Sequence, residues 1–465
     1  MEEKKIINQS GSITPALIVI TGAFTIVIYG ILFLLGLQLD FSHRQTASEK
    51  ALNIAEAGIN YYAWHLSHNP NDYTSDTGIH DYSDPQGGIV GQYELNITPP
   101  EEGSTTVIIE STGWTNEYPK VKRTIEVQYG LPSFSSYSLL SNGSVWYGVG
   151  SVVNGRVHSN NGVRMDGINN SIVSSAQEEY MCGFETGCHP PEPKPGVWGS
   201  GGDQGLWQFP VPAIDFDSIS FDFAQMRDDS KVNGLYLDGK GARGYHLVFQ
   251  SNGTVSVYKI TKLNDIEGYS VPGQGIGQAG LGGCREDEQE IDNETLIGVY
   301  NVAETPIIFA ENNLWVEGTV RGRLTVAAVD FPIQSSSSVI WIPNSITYTA
   351  YDCSDSLGLI AQSDIYIGRD VPNYFQIDGV LMSQKGKIIR HGYFDWCGDI
   401  AAAVKQKFTL NGSLLSYFKS YWNFGEGPES GFIERELNFD SCTPDNPPPY
   451  FPSSNAYQFI SWQEK

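Results

Sequence analysis

The chain has 465 residues, 53 of them Asp or Glu and 28 Lys or Arg, for a net charge of −25. A surface this acidic repels nucleic-acid phosphates and anionic lipid headgroups, which excludes both as partners of the soluble part. Fifty glycines and 25 tyrosines point to turn-rich β structure, and the length allows two or more domains.

The first element is an apolar run, residues 13–39, without a charged residue. As a helix it would be about 40 Å long, enough to cross a hydrocarbon core of ~30 Å. A secretion signal has a shorter apolar stretch of ~7–15 residues followed by a small-x-small cleavage site; here Gln38, Leu39 and Asp40 follow instead. A ten-residue leader, with Lys4 and Lys5 offset by Glu2 and Glu3, stays most easily in the cytoplasm and leaves the bulk of the chain outside.

The helix is expected to continue past the membrane. From His43 to Leu66 there is no proline, and Ala47, Ala51, Ile54, Gly58, Ile59 and Tyr62 recur at three- and four-residue steps, making one apolar face. Gly58 costs about 1 kcal/mol relative to Ala inside a helix, so a close neighbour is expected there. The segment His68-Asn69-Pro70-Asn71-Asp72 ends the helix. Beyond it, GQYELNI, TTVIIEST and KRTIEVQYG within residues 91–130 read as a small antiparallel sheet packed on that face.

From residue 133 on, a mainly β head is expected. VVNGRVHSNNGV (152–163), TVRGRLTVAAV (319–329) and QIDGVLMSQKGKI (376–388) share a Gly followed by alternating apolar positions. Short strands with Asn and Gly corners suit an irregular β-solenoid, with a β-sandwich as the alternative. GYHLVFQSNGTVSVYKI (244–260) reads as a hairpin turning at Ser251-Asn252-Gly253, assigned to an inserted lobe at about 170–300.

Six cysteines (Cys182, Cys188, Cys284, Cys353, Cys397, Cys442) all follow the apolar run. They permit three disulfides in fifteen pairings, with Cys182 and Cys188 the first pair to consider because they close a short loop. Their spacing matches no zinc pattern. His65 and His68 read as a surface pair without a third ligand. The acidic stretch 215–230 lacks the ordered ligands of an EF-hand, so no cofactor is implied, although calcium could be held there. The enzymatic rival is a polysaccharide lyase or hydrolase, for which Arg321, Arg323 and Arg390 could be enlisted as bases; no spacing selects them.

A Gly closing a short charged leader, a long apolar helix and then Ala55-Glu56-Ala57-Gly58 resemble the N-terminal region of type IV pilins, and more narrowly of PilX-type minor pilins. STGWTNEYPKVKRTIEVQYG (111–130) resembles the strand pair that follows in that family, and NPPPYFP (446–452) with YQFISWQE (457–464) resembles the endings of large PilX-domain proteins. The resemblance implies cleavage between Gly11 and Ser12 by a prepilin peptidase. It also implies packing against other pilins through the N-terminal helix. One position departs from the pattern: the fifth residue of the processed chain, usually Glu, is Ala16. That departure suits a tip or initiating subunit, or a chain that is not processed.

The reading is therefore an α+β chain with a leader (1–11), a long helix (12–68), a sheet (69–132) and a β-rich head (133–465). Its expected function is that of a non-catalytic minor or tip subunit of a pilus-like fibre, acting in assembly or adhesion. It would be single-pass in the cytoplasmic membrane with its head outside, reaching the cell surface on assembly, with a surface glycan or protein as ligand. The alternative is a membrane-anchored carbohydrate-binding or polysaccharide-acting surface protein that never enters a fibre.

Overall fold

The structure, a computed structural model, describes residues 13–69, 72–84, 87–100, 104–216, 219–268, 285–333, 338–394, 400–424, 429–454 and 457–465. The chain divides into two compact units. The first takes in the N-terminal helix, Thr106–Gly130 and Gln458–Lys465; the second holds Leu131–Tyr457.

In the first unit, α1 (Ile13–His68) is one uninterrupted helix of 56 residues, about 84 Å long at the usual rise. Its second half packs on an antiparallel sheet of β1 (Gly78–Ser83), β2 (Ile89–Thr98), β3 (Val107–Thr115) and β4 (Lys122–Gly130). A fifth strand, Gln458–Glu464, pairs antiparallel with β4. By local pattern those last residues belong to the head, and β1 carries no strand signal. The sheet instead takes one edge strand from each side of the three expected ones. Alternation is clean where one face is sealed: Val107, Ile109 and Ser111 of β3 and Ile125, Val127 and Tyr129 of β4 are buried.

The second unit is built of parallel ladders. One register position runs through Leu235, Ile308, Val326, Leu359, Leu381, Leu414, Leu139, Val157, Val173 and Trp207. Shorter parallel ladders run beside it, one through Leu314, Ile340, Ile365 and Ile388 and another through Ile346, Ile377 and Leu410. A sandwich is made of antiparallel sheets, so this pairing sets that alternative aside. Stacked aliphatic rows at every turn form the core, because each turn can bury its apolar residues only against its neighbours.

The order of the stack is not the order of the chain. The chain joins the stack at Leu139, in its middle, and steps outward through Val157 and Val173 to Trp207. It then passes through α2 (Ile219–Asn233), resumes at Leu235 at the opposite end, and steps back to Leu414, which closes against Leu139. The next register position, Phe309, Ala327, Ile360, Met382, Leu415 and Leu140, points to the other face. It too is buried, against Phe223 and Met226 of α2 and against Phe134, Phe216 and Phe451. Burial on both faces explains strands such as Ser356–Ala361, apolar almost throughout and buried at every position. The ingoing and outgoing segments are tied together: Thr443 donates to Ser135 O at 2.9 Å, Phe134 N to Pro452 O at 3.0 Å, and Ser454 N to Pro132 O at 2.9 Å.

Part of the stretch expected as an inserted lobe joins this stack, through Val173–Ser175, Trp207–Gln208, Leu235–Leu237 and Gly244–Gln250. The hairpin is present, Gly244–Gln250 pairing with Thr254–Gly268, yet its first strand also lies parallel to Leu314–Val320. His246 marks the junction. Its Nδ1 lies 2.9 Å from Glu294 and its Nε2 3.1 Å from Glu317, which ties Arg285–Asn301 to the ladder strand Leu314–Val320. Burial alone would lower the His246 pKa, but the hydrogen bonds to the two glutamates outweigh it and raise it above 6.5. The hydrogen bond from His246 takes Glu317 below its ordinary 4.5.

The signs set a window. A raised folded-state pKa for His246 contributes stability below 6.5 that is lost as pH rises through the raised value; a lowered one for Glu317 contributes above 4.5 and is lost as pH falls through the lowered value. His246→Gln should therefore flatten the alkaline limb. Denaturation midpoints from pH 6 to 9 should fall more steeply for the native chain than for the variant. Parallel profiles would show that the clasp carries no pH-dependent stability.

Candidate functional site

The feature of α1 that calls for a partner is its division in two. From residue 13 to residue 46 every position is exposed, Phe24, Tyr29 and Phe33 each by about two-thirds. A helix this long and apolar meets the requirement for crossing a membrane. Gly22, Gly30 and Gly36 have nothing within 4 Å of where a Cβ would stand, so no neighbour in this chain requires them.

The second half is the opposite. Ala47, Ala51, Ile54, Gly58, Ile59 and Tyr62 are all buried, joined by Ala55, Ala63, His65 and Leu66. Close approach is set by three glycines, one on the helix and two on the sheet. A Cβ on Gly58 would stand 2.8 Å from the Tyr93 ring, one on Gly91 2.6 Å from Ile54 Cδ1, and one on Gly113 2.5 Å from Ala55 N. Ala51 and Ala55 lie against Gly113, so the helix backbone lies nearly on β3. Helix propensity singles out only Gly58; for Gly91 and Gly113 the signal is a glycine inside the strand patterns GQYELNI and STGW. Arg123 of β4 donates to Ser48 Oγ at 2.8 Å and pairs with Glu464, while Lys465 pairs with Glu110 at 3.0 Å, so the fifth strand is held by charge as well as by its ladder.

The helix end is built around His65. It was expected at the surface beside His68, but it is buried, one turn beyond Tyr62 on the apolar face, while His68 is exposed. Its Nδ1 lies 3.2 Å from Asp76 Oδ2 and its Nε2 3.2 Å from Asp72 O. Tyr62 donates its hydroxyl to the same carbonyl at 3.3 Å. Hydrogen bonds from Ser75, aided by Thr74 and His65, hold the Asp72 carboxyl down at about 2. A rigid collar thus stops the helix where the chain turns toward β1.

Other expected positions fall as follows. Gly11, Ser12, Cys284, Cys397 and Asp217 lie outside the described residues. Cys182 and Cys188 are bonded, as are Cys353 and Cys442, 89 residues apart; closing a loop of that length is worth about 4–5 kcal/mol on a chain-entropy account. Among the described residues no three His, Cys, Asp or Glu side chains converge to hold a metal ion. Arg390 is fully buried and donates to Ala402 O, Ala403 O and Arg369 O, with burial lowering its pKa to about 10. Arg323 donates to Pro447 O at 2.8 Å. Both are engaged with backbone carbonyls, a structural use of arginine.

No family model matches the chain, and no curated protein matches it. Among solved structures, the competence-associated pilin ComZ from Thermus thermophilus is similar to it, with 12% identity over 90% of this chain and 98% of that one, at a TM-score of 0.31.

The glycine contacts give a direct test. Gly113→Val puts a side chain against the helix backbone, which cannot yield, and should destabilise the first unit by about 1–3 kcal/mol or more. Gly22→Val, on the bare half, should leave the stability of the detergent-solubilised chain unchanged. Denaturant midpoints of the two variants report the difference, and equal midpoints would contradict the close docking of helix and sheet.

Proposed function

We propose that the chain is a minor subunit of a type IV pilus-like fibre, held in the membrane by the first half of α1 before assembly and packed against the helices of other pilins after it. The observation that carries this reading is the division of α1: a bare apolar half continuous with a half sealed under an antiparallel sheet. A helix that only anchors a soluble domain has no need of that rigid continuity. A subunit that must leave the bilayer and seat itself in a helical fibre does, because its sheet must move with its helix as one body.

Within that reading the subunit is apical. Ala16 offers no carboxylate for the terminal amine of a neighbour, and a buried amine without a counter-ion is costly. A subunit at the end of a fibre has no such neighbour. Leu131–Tyr457 is a large load as well. Helices pack within about 10 Å of one another, so repeating that load at every subunit would crowd a shaft. The role is then initiation of assembly or adhesion through the displayed β unit, without catalysis.

Two outcomes are expected. Gly11→Trp should block maturation, read by N-terminal sequencing of the membrane-purified protein; native chains that begin at Met1 would make the helix a plain anchor. Gold-labelled antibody against the β unit should mark fibre ends sparsely. Continuous labelling of the shaft would overturn the apical placement, and labelling confined to the cell body would favour the anchored carbohydrate-binding or polysaccharide-acting alternative.

A further inference from the structure

A cavity of about 240 Å³ opens in the second unit beside the Cys353–Cys442 disulfide, with Tyr351, Asn438, Asp440 and Ser441 in its wall. It is smaller than the ~300–1,000 Å³ of sites for drug-sized ligands, so it suits a single ring better than a peptide. Its floor is rigid. Asp355 accepts from Gly322 N at 2.7 Å, Thr349 N at 2.9 Å, Thr349 Oγ1 at 2.7 Å and Ala350 N at 2.9 Å. Asp378, fully buried, accepts from Tyr348 N at 2.8 Å, Tyr351 Oη at 2.7 Å, Gln376 Nε2 at 2.8 Å and Asn411 Nδ2 at 2.7 Å.

Those two carboxylates are fully used, and what remains is informative. Tyr351 has its hydroxyl pinned to Asp378 while the residue is 66% exposed, so an oriented aromatic face is offered to solvent. Asp440 uses one oxygen to accept from Cys442 N at 2.9 Å; among the described residues the other has no partner. Asn438 donates to Asn411 and Glu436 through its Nδ2, and among the described residues its carbonyl oxygen has no partner. Among the described residues the cavity therefore presents an aromatic face, two unpartnered acceptors and the Ser441 hydroxyl, and no cationic side chain. A divalent cation needs six or more converging oxygens, which these groups do not supply. A ligand that fits must donate hydrogen bonds and have one apolar face, and the surrounding negative charge disfavours an anion.

We propose that this cavity is a binding subsite for one ring of a neutral saccharide, stacked on Tyr351 and donating hydroxyl hydrogen bonds to Asp440 and Asn438. The proposal rests on the reading of the second unit as the part displayed outside the membrane. The half-buried Asp440, its pKa raised by burial and by neighbouring Asp378, is a strong acceptor once ionised.

The test uses the full chain in detergent micelles, titrated calorimetrically with oligomers of glucose, galactose and N-acetylglucosamine, with glucuronate and with calcium chloride. At least one neutral oligomer should bind and glucuronate should not. Tyr351→Ala and Asp440→Asn should each weaken binding by about tenfold or more, the loss expected for one such contact, while Tyr374→Ala, an exposed tyrosine outside the cavity, should leave it unchanged. If removal of the Tyr351 hydroxyl perturbs the fold, Asp440→Asn decides, because it preserves shape. No saccharide binding, binding indifferent to Asp440→Asn, or binding of calcium alone would each overturn the proposal. Binding is read on the isolated chain and fibre position by antibody labelling, so the failure of one reading is distinguishable from the failure of the other.

Discussion

A helix with one bare apolar half must find an apolar environment for it. In water the exposed run from residue 13 to residue 46 would cost ~25 cal/mol for every Å² of apolar surface left wet. Only two surroundings suit so long a helix with all backbone groups satisfied internally: a bilayer, or a bundle of similar helices. The first unit is arranged around this requirement. Its sheet seals one face of the other half, and the three close glycines make that seal rigid, so whatever takes up the bare half also positions the sheet.

The second unit meets a different constraint. A coil of short strands buries apolar residues only between turns, so its ends are its weak points. Here the chain joins the stack in the middle and leaves it in the middle, with both terminal segments tied at residues 132–135 and 443–454. The returning strand at Leu414 lies against the first strand to enter the stack, at Leu139. The long loop closed by Cys353 and Cys442 lies on this returning path and constrains it further.

Local periodicity carried much of the fold. The three- and four-residue steps of Ala47 to Tyr62 identified the sealed face, and the two-residue alternation of 91–130 identified three of its strands. His65 escaped because an imidazole near a helix end reads as polar, although its position one turn past Tyr62 placed it on the apolar stripe. The strand 458–464 escaped because its partner lies more than 300 residues earlier, and pairing at that distance leaves no local trace. The stacking order escaped for the same reason: Leu139 and Leu414 are equivalent only in register. The hairpin 244–260 was legible, but not its parallel neighbour at 314–320, since a strand shared by two ladders looks like any other. Of the cavity residues only Cys353 and Cys442 stood out, as cysteines without an assigned partner, because Asp355 and Asn411 are ordinary turn and strand residues until the coil brings them together.

As a fibre subunit, the chain would end with the bare half of α1 among other protein helices. Photo-crosslinking from Phe24 and Phe33, exposed on that half, tests it most directly when the residues are replaced singly by a photoreactive phenylalanine in living cells. Adducts with the N-terminal helix of another membrane-anchored subunit, increasing when fibres assemble, are expected. Adducts with lipid alone, unchanged by assembly, would contradict it.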